Sequence, residues 1–338
     1  PGVPLVTVGA ASCADGATRV ALTQSEFSAD RKDAAAAAPQ GWRIPLLATT
    51  LGSDQVTRAV MTGANTTMQV PGCEPLLLNA GQLGYYRTLY TPPALGQLTQ
   101  NFATLDPIDQ LGLMQDQLAL AQEEYQPWAP ALDVLAAVPR NANPIVANAA
   151  IGRWSALYER TEAEPAVQQQ VAALANSIWG PRLQQLGFSP RAGEPLVDDG
   201  LRSTLIGQLG QMRNPAVLAE ARRLLGELQD DPTALDGPLK TTWLGIIARN
   251  ASPAEWEQLL NLARNSTSGV EKTNYYTLLG RTSDPVLANR ALELALSGEP
   301  SVTTGASIFT SVSGENGDLA VQFLSLIHIS EPTRQAEI

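Results

Sequence analysis

The sequence predicts an α+β protein that is mainly α-helical, with an N-terminal antiparallel β-sandwich followed by an α-helical superhelix. Residues 1–92 form short segments rich in Val, Leu, Thr and aromatic residues, bounded by Gly, Asp, Asn or Pro, which is typical of strands. Residues 93–323 are richer in Leu, Ala, Gln, Glu and Arg at helical spacing. Five prolines in this second part, each after an Asp, Asn or Ser, indicate helix starts.

Residues 1–92 are predicted to be a β-sandwich domain. Seven short strands separated by frequent turns favour two packed antiparallel sheets. The stretch from Ser28 to Gly41 contains charged residues and an alanine run before Pro39, so we expect an exposed loop there. The predicted strands are Pro4 to Ala11, Thr18 to Phe27, Trp42 to Thr50, Gln55 to Thr62, Asn65 to Val70, Pro75 to Asn79 and Tyr85 to Tyr90.

Residues 93–323 are predicted to be a solenoid of the HEAT or armadillo type. Asn214, Ser252 and Asp284 precede three of the prolines at intervals of 38 and 32 residues, and each interval has room for a helical hairpin. The Trp179-Gly180-Pro181 segment is expected to kink or break a helix at 165–186. The five predicted helix starts are Asp106-Pro107, Asn143-Pro144, Asn214-Pro215, Ser252-Pro253 and Asp284-Pro285.

The overall composition indicates a globular protein and disfavours two classes of partner. Apolar residues make up 44% of the 338 residues and charged residues 16%, a composition that disfavours disorder over the whole length. The net charge of -11, without a basic cluster, disfavours nucleic-acid binding. The sequence contains no apolar run near the ~20 residues that a membrane span needs.

The two cysteines, Cys13 and Cys73, both lie in the strand-rich part. An even number of cysteines permits one disulfide without requiring it. The alternative is a pair of small buried thiols, which are common in protein cores. A bridge would imply an oxidising compartment such as a periplasm.

Residues 324–338 are expected to be a sequencing artefact. The segment from Leu324 to Arg334 resembles the in-frame translation of a transposase-type sequencing adapter, and it contains the single histidine, His328. Such scars must be excluded before the fold is interpreted. The alternative is a genuine short C-terminal helix or strand.

The segment from Asn79 to Tyr90, at the change from strands to helices, resembles the junction segment of zinc aminopeptidases of the aminopeptidase N family. In that family the segment closes a β-sandwich and leads into the C-terminal helical domain, which is also found in endoplasmic reticulum aminopeptidases. The residues that carry this resemblance are Asn79, Gly84, Tyr85, Tyr86, Arg87 and Tyr90.

Other segments match the same family in order and spacing, over nearly all of residues 1–323. Trp42 to Leu46 resembles the Trp-x-x-Pro strand of the family sandwich, and Ile108 to Asp116 resembles its first long helix. Leu186-Gly187-Phe188, Leu201-Arg202 and Ser283 to Leu287 follow at the expected distances. The His-Glu-x-x-His zinc helix, its downstream Glu ligand and the Gly-x-Met-Glu-Asn segment of the family are absent from the sequence.

The resemblance implies that the chain is the C-terminal portion of a bacterial zinc metallopeptidase that removes N-terminal residues from peptides. This portion would cover the active-site cavity and restrict access to it. Its partners would be the N-terminal and catalytic domains of the same polypeptide, together with peptide substrates. The zinc would belong to the parent enzyme, which is expected in the periplasm or outside the cell, with the cytoplasm as the alternative. The junction residues are expected to be structural, with Arg87 paired to a carboxylate or a carbonyl.

The residues of this chain cannot assemble the known hydrolytic sites. Without His328 there is no imidazole, so a zinc site, a Ser-His-Asp triad and a Cys-His pair all lack a required group. The acidic pairs Asp198-Asp199 and Asp230-Asp231 are expected to be loop or cap residues, and Gly81 to Gly84 is expected to be structural. We therefore predict no catalytic, cofactor-binding or metal-binding residue here, and no activity of this portion alone.

A second hypothesis also fits the helical spacing. The chain could be a stand-alone solenoid that binds peptides or a protein partner along a concave face, without enzymatic activity. A natural reading frame that extends upstream into a His-Glu-x-x-His segment would favour the peptidase hypothesis over the stand-alone solenoid.

Overall fold

A computed structural model describes residues 2–29, 41–231 and 233–330 of the chain. The fold is mainly helical, with a small mixed β-region at the N-terminus, which agrees with the predicted α+β class. Most of the predicted loop from Ser28 to Gly41, and the tail after Ser330, lie outside the described residues. No helix in the described part is long and apolar enough to cross a membrane.

A strand forms within each of the seven segments predicted from the sequence. The second strand shows why, because alternate residues such as Val20 and Leu22 are buried while their neighbours are exposed, with the period of two that a strand requires. The strands are β1 (Val3–Ala14), β2 (Ala17–Phe27), β3 (Ile44–Thr50), β4 (Thr57–Met61), β5 (Asn65–Pro71), β6 (Leu76–Leu78) and β7 (Arg87–Leu89).

The strands form two sheets, and one pair differs from the antiparallel prediction. One sheet has the order β5-β2-β1-β7 and the other the order β4-β3-β6. β7 runs parallel to β1, with Leu5 opposite Arg87 and Thr7 opposite Leu89. β6 lies in the other sheet, and the chain reaches β7 from it through the loop at 79–86. Because no hairpin joins β1 to β7, these two strands need not pair in the antiparallel direction. The packing of the sheets as a sandwich stays a prediction.

The α-helices begin directly after β7. One short 3-10 helix, Ala80–Gln82, precedes β7, and another, Phe102–Thr104, follows the first α-helix. The α-helices are α1 (Pro92–Gln100), α2 (Pro107–Gln122), α3 (Trp128–Ala136), α4 (Pro144–Arg160), α5 (Pro165–Leu186), α6 (Leu196–Gln211), α7 (Pro215–Asp230), α8 (Lys240–Arg249), α9 (Pro253–Asn265), α10 (Gly269–Leu279), α11 (Pro285–Leu296), α12 (Val302–Glu315) and α13 (Gly317–Ser330).

A helix starts at each of the five predicted prolines, and four of the five preceding residues cap it with their side chains. Asn214 accepts hydrogen bonds from the N–H groups of Ala216 and Val217. Ser252 forms a reciprocal capping box with Glu255. Such caps satisfy N–H groups that have no partner within the helix. The other two caps are Asn143, which accepts from Ile145, and Asp284, which accepts from Val286.

The predicted side-chain cap at Asp106 is wrong, and the helix does not break at Pro181, where a kink stays a prediction. The side chain of Asp106 makes no capping hydrogen bond, and its carbonyl oxygen instead accepts the N–H groups of Asp109 and Gln110. α5 runs through Pro181 without a break. Pro181 lies five residues before the end of α5, so the lost hydrogen bond affects only its last turns.

The chain divides into two compact units, Pro1–Arg153 and Trp154–Ile338, and the division falls within α4. In the first unit, Leu5 and Phe27 from the strands share a core with Leu120 of α2. The Tyr125 ring packs 5.1 Å from that of Phe27, and the Tyr125 hydroxyl accepts the Ser28 N–H. The first helices and the strands are therefore packed together. The domain boundary at 92/93 stays a prediction.

In the second unit, helices contact their neighbours in sequence and also the next helix but one, as α6 does with α8 and α10 with α12. Its core is built from helix faces and includes Trp179 and Trp256, both fully buried. Leu324 to Ser330, the start of the suspected adapter segment, continues α13. The origin of that segment stays a prediction.

Candidate functional site at the strand-to-helix junction

The segment that carries the family resemblance packs against one face of α2. We call this arrangement the junction cluster. Its members are Asn79, Gln82, Gly84, Tyr86, Arg87, Tyr90, Asp109, Gly112, Asp116 and Gln117.

Asn79 closes the loop that precedes β7. Its backbone is left-handed, at φ 61° and ψ 36°, a conformation that Asn tolerates better than most residues. Its side-chain Oδ1 accepts the Gly84 N–H at 2.8 Å, and its Nδ2 donates to the Gly84 carbonyl at 3.0 Å. Asn79 is buried, so these bonds also replace lost contacts with water.

Gly84 is required because the loop is tight. A Cβ atom at this position would lie 2.3 Å from the Tyr86 ring and 2.8 Å from Asn79 Oδ1. Any side chain would therefore displace either the ring or the amide that closes the loop.

The three tyrosines of the segment have different environments. The Tyr90 hydroxyl accepts the Leu78 N–H at 3.0 Å, and burial raises its pKa. Burial also raises the pKa of Tyr86, whereas Tyr85 is 82% exposed. The predicted strand from Tyr85 to Tyr90 is shorter in the structure, because β7 begins only at Arg87. Tyr86 and Tyr90 are thus core residues, and Tyr85 is a surface residue.

Arg87 and β7 are fixed by one carboxylate of α2. Arg87 Nη1 lies 2.8 Å from Asp116 Oδ1, and the Thr88 N–H donates to Asp116 Oδ2 at 2.9 Å. The guanidinium also lies 4.9 Å from the centre of the Phe27 ring. Burial raises the pKa of Asp116 to about 6, although the Thr88 N–H and Arg87 both favour its charged form.

A second carboxylate of α2 fixes the loop itself. Asp109 Oδ1 accepts the Gly81 N–H at 2.8 Å, and Gln82 Nε2 approaches the same oxygen at 3.4 Å. A Cβ atom at Gly112 would lie 2.0 Å from the Gln82 carboxamide carbon, so a side chain there would displace the Gln82 carboxamide from Asp109. Asp109, Gly112 and Asp116 are spaced by three and four residues, which places them on one helix face.

Sequence reasoning did not identify the α2 half of this cluster. It expected a carboxylate or a carbonyl beside Arg87, and the carboxylate is that of Asp116, but nothing local to Arg87 indicates which residue that is. The available signal was the Asp-x-x-Gly-x-x-x-Asp spacing within 109–116, which leaves two acids and a glycine on one helix face. Gln117, whose Nε2 donates to the Thr88 carbonyl at 3.0 Å, gives no comparable signal.

The junction cluster is suited to holding elements together and does not fit a metal. Its carboxylates bind backbone N–H groups, an amide and a guanidinium, and it contains neither imidazole nor thiolate. Within residues 2–29, 41–231 and 233–330, no group of three or more His, Cys, Asp or Glu side chains could hold a metal ion. Zinc sites in proteins combine imidazole nitrogen, thiolate sulfur and carboxylate oxygen. The cluster offers only two carboxylates, and both are occupied by other partners, so the donor set does not fit zinc.

Cys13 and Cys73 are joined, with Cα atoms 5.4 Å apart, a separation typical of disulfides. Both residues are exposed, so the alternative of two buried thiols does not hold. Nearby, the Thr18 hydroxyl donates to the Gly72 carbonyl at 2.7 Å, and the Gly72 N–H donates to the Gly16 carbonyl at 2.8 Å. The link thus connects the end of β1 with the segment just after β5.

The other acidic candidates lie apart from the junction cluster in sequence. Asp198 and Asp199, expected in a loop or at a cap, lie in the first turn of α6, and Asp199 pairs with Arg202 at 3.0 Å. Asp231 follows the end of α7 and accepts from the Thr233 hydroxyl and N–H. Arg202 is fully buried, donates to the Leu186 and Gly187 carbonyls at the end of α5, and pairs with Glu194 at 2.5 Å. Sequence reasoning noted Leu201-Arg202 as a family-like pair but did not anticipate this role.

Comparison with known proteins supplies a family for this architecture. The model of the ERAP1-like C-terminal domain matches residues 75–326, which include the whole junction segment, the helices α1 to α12 and most of α13. Three curated relatives are similar over about three quarters of the chain. They are Aminopeptidase 2 of Candida albicans (22% identical, 74% of this chain and 27% of the relative), Aminopeptidase M1 of Arabidopsis thaliana (23%, 75% and 30%) and Aminopeptidase N of Lactobacillus helveticus (24%, 75% and 30%).

The chain thus spans about 27–30% of the length of these relatives, and the family match covers more than half of the chain. The match also contains the loop, strand and helix that meet in the junction cluster. The chain therefore belongs to the ERAP1-like C-terminal domain family, the C-terminal domain of aminopeptidase N family enzymes.

Proposed function

We propose that this chain is the non-catalytic C-terminal portion of a zinc aminopeptidase that removes N-terminal residues from peptides. The observation that carries the proposal is the match of the C-terminal domain model over residues 75–326, in a chain that spans under a third of three relatives named as aminopeptidases. Zinc and the catalytic residues would be supplied by other parts of the polypeptide, since the donor set described above does not fit the metal. The partners of this portion would be those other domains and the peptide substrate.

In this proposal the helical part covers the active-site cavity and limits which peptides enter. A solenoid suits such a role because stacked helical hairpins form an extended concave surface. The contacts of α6 with α8 and of α10 with α12 support this arrangement, since they are the contacts that stacked hairpins make. The sandwich is supported by the Thr50 hydroxyl, which donates from the end of β3 to the Pro71 carbonyl of β5 in the other sheet at 2.8 Å.

The proposed location is the periplasm or the cell exterior of a bacterium. The link between Cys13 and Cys73 supports it, because disulfides persist mainly in oxidising compartments. If both cysteines are free in protein isolated from its source under thiol-blocking conditions, the cytoplasmic alternative replaces this one.

The decisive experiment starts from the natural reading frame, recovered by long-read sequencing of the source DNA across both ends of this sequence. We expect an upstream His-Glu-x-x-His segment, and hydrolysis of alanyl anilide and of a decapeptide by the longer protein. Removal of residues 137–323, which leaves α1 to α3 packed on the strands, should change the ratio of the two rates, because access to the cavity is altered while the catalytic domain is intact. A start codon directly before Pro1, or anilide hydrolysis by the 338-residue chain alone, would refute the proposal.

A further inference from the structure

Helix α5 presents a second apolar face besides the one that it buries. Its buried side chains are Ala175, Trp179, Leu183 and Leu186. Another row of apolar side chains lies about 100° around the helix axis from these. Within this row Leu174 is 53% exposed and Val167 is 39% exposed, so much of it faces water. We call this row the α5 stripe, and its members are Val167, Val171, Leu174 and Ile178.

The part of α5 that carries the stripe has no charge. Residues 165–181 contain no Asp, Glu, Lys, Arg or His. Gln170 and Ser177, which lie beside the stripe, are exposed and neutral. Surfaces that meet only water are usually rich in charged side chains, whereas the centres of protein–protein interfaces are depleted of them. An exposed apolar stripe with a neutral border is therefore typical of an interface.

The spacing of the stripe indicates a second helix as its occupant. Its members follow one another at intervals of four, three and four residues, which is the repeat of apolar residues in coiled coils. From Val167 to Ile178 the stripe is about 17 Å long. Side chains at this repeat fit between those of a helix with the same repeat. The stripe is therefore complementary to another copy of itself.

The charge of the chain limits which surface two copies can share. In a two-fold symmetric contact the same patch of each copy meets. A chain with a net charge of -11 repels its copy wherever acidic groups come together, and the stripe avoids this repulsion. A parallel helix pair would place the exposed Glu164 of one copy beside that of the other. An antiparallel pair separates them and aligns the helix dipoles favourably.

We infer that two copies of this chain associate through the α5 stripe as an antiparallel, two-fold symmetric helix pair. Val171 and Leu174 lie next to the two-fold axis, and Val167 of one copy packs near Ile178 of the other. A contact of about three helical turns is smaller than the interfaces of stable dimers, so the Kd lies in the micromolar range. The inference does not depend on the proposed function, because it concerns a surface and not a substrate.

The test measures sedimentation velocity of the 338-residue chain at concentrations from about 1 to 200 µM, which bracket a micromolar Kd. We expect an equilibrium between monomer and dimer, with a Kd of about 10 µM. Leu174→Glu should raise the Kd at least about tenfold, because two carboxylates then meet near the axis in an apolar contact. Leu174→Lys should have the same effect through two ammonium groups.

A mixture of the two variants gives the sharpest result. Opposite charges then face each other near the axis, so the mixture should dimerise at concentrations where neither variant does so alone. Leu174 is exposed, and Glu and Lys both favour helix formation, so the variants should fold, which their thermal melting curves verify. The matched control is Leu296→Glu, which changes a leucine that is 62% exposed at the end of α11 and should leave the Kd unchanged.

A monomer at the highest concentration, a dimer that Leu174→Glu leaves intact, or a mixture that stays monomeric would each overturn the inference. Dissociation by Leu296→Glu would also overturn it. The other candidate occupant is a further domain of the longer protein. If the longer protein is a monomer in which Leu174→Cys does not react with maleimide, that domain covers the stripe and the inference is wrong. The proposed function is judged separately, by hydrolysis in the longer protein.

Discussion

The two compact units place their charged side chains differently. In the first unit, Asp109 and Asp116 lie inside the protein and hold a loop and a strand that are 28 residues distant in sequence. In the second unit, several ion pairs have at least one largely exposed side chain, as the pair of Arg222 on α7 and Glu255 on α9 does. Buried pairs depend on one geometry, whereas exposed pairs contribute little because water competes with them. Substitutions of charged residues should therefore have larger effects in the first unit, with Arg202 as the exception.

The covalent link of the first unit should have the largest effect. Cys13→Ser/Cys73→Ser opens a loop with a sequence separation of 60 residues, and chain-entropy arguments give a loss of about 4 kcal/mol in the free energy of unfolding. Urea unfolding of this variant and of the wild type, each with and without reductant, measures the loss.

Mass spectrometry with an alkylating reagent provides the control. The wild type should gain two labels only after reduction. Two labels on the unreduced protein would mean that the cysteines are free and would remove the basis of this prediction.

Arg202→Ala tests whether the second unit also depends on a buried charge. The substitution leaves the Glu194 carboxylate without its ion-pair partner and the Gly187 carbonyl without its donor, so we expect a loss of about 3 kcal/mol. Urea unfolding followed by far-ultraviolet circular dichroism gives the value. A loss below about 1 kcal/mol would place Arg202 with the exposed pairs.

Gly84→Ala tests how tightly the junction cluster is packed. The added methyl group meets the Tyr86 ring, and overpacking of this kind costs about 1–3 kcal/mol. Gly96→Ala is the matched control, because nothing lies within 4 Å of its Cβ position in α1, and it should stabilise the protein by about 0.5–1 kcal/mol. Equal effects of the two substitutions in chemical unfolding would contradict the packing seen at Gly84.

Asp116 should make stability depend on pH. Its pKa is about 6 in the folded protein and returns to about 3.8 on unfolding, so between these values the folded state holds the proton more tightly. The contribution of Asp116 to the free energy of unfolding therefore falls as pH rises from about 4 to 6, by about 3 kcal/mol, and is flat outside this window.

Asp116→Asn removes this dependence. The difference between wild-type and variant unfolding free energies, measured by urea titration from pH 3.5 to 7.5, isolates it from the other carboxylates. A difference that does not vary with pH would show that Asp116 titrates normally.

The smallest effect is expected for an exposed pair of the second unit. Arg222 pairs with Glu255, but its side chain is 58% exposed, and such pairs contribute less than about 1 kcal/mol. Arg222→Ala should shift the urea midpoint only slightly, and the shift should shrink in high salt. A loss comparable to that of Arg202→Ala would end the distinction between the two units.

Local chemistry made much of the fold predictable. Strand periodicity located all seven strands, and a capping residue before proline located five helix starts, because both signals lie within a few residues of the feature that they specify. The parallel direction of β7 was not predictable, since it depends on where β1 lies. The partners of Arg87 and of the Gly81 N–H were equally hidden, because Asp116 and Asp109 approach them only after α2 has packed. Asp106 is the opposite case, because it precedes a proline at a helix start and its side chain nevertheless makes no capping hydrogen bond.

The shared core of Leu5, Phe27 and Leu120 also constrains how such domains can be exchanged between proteins. A recombination event at the change from strand to helix, near Pro92, would separate β1 and β2 from the α2 face that covers them. Both parts would carry an exposed apolar surface, and the junction segment would lose the Asp109 and Asp116 carboxylates with which it is packed. Viable chimaeras of this family should therefore join after α3, so that the strands and their first helices are inherited together.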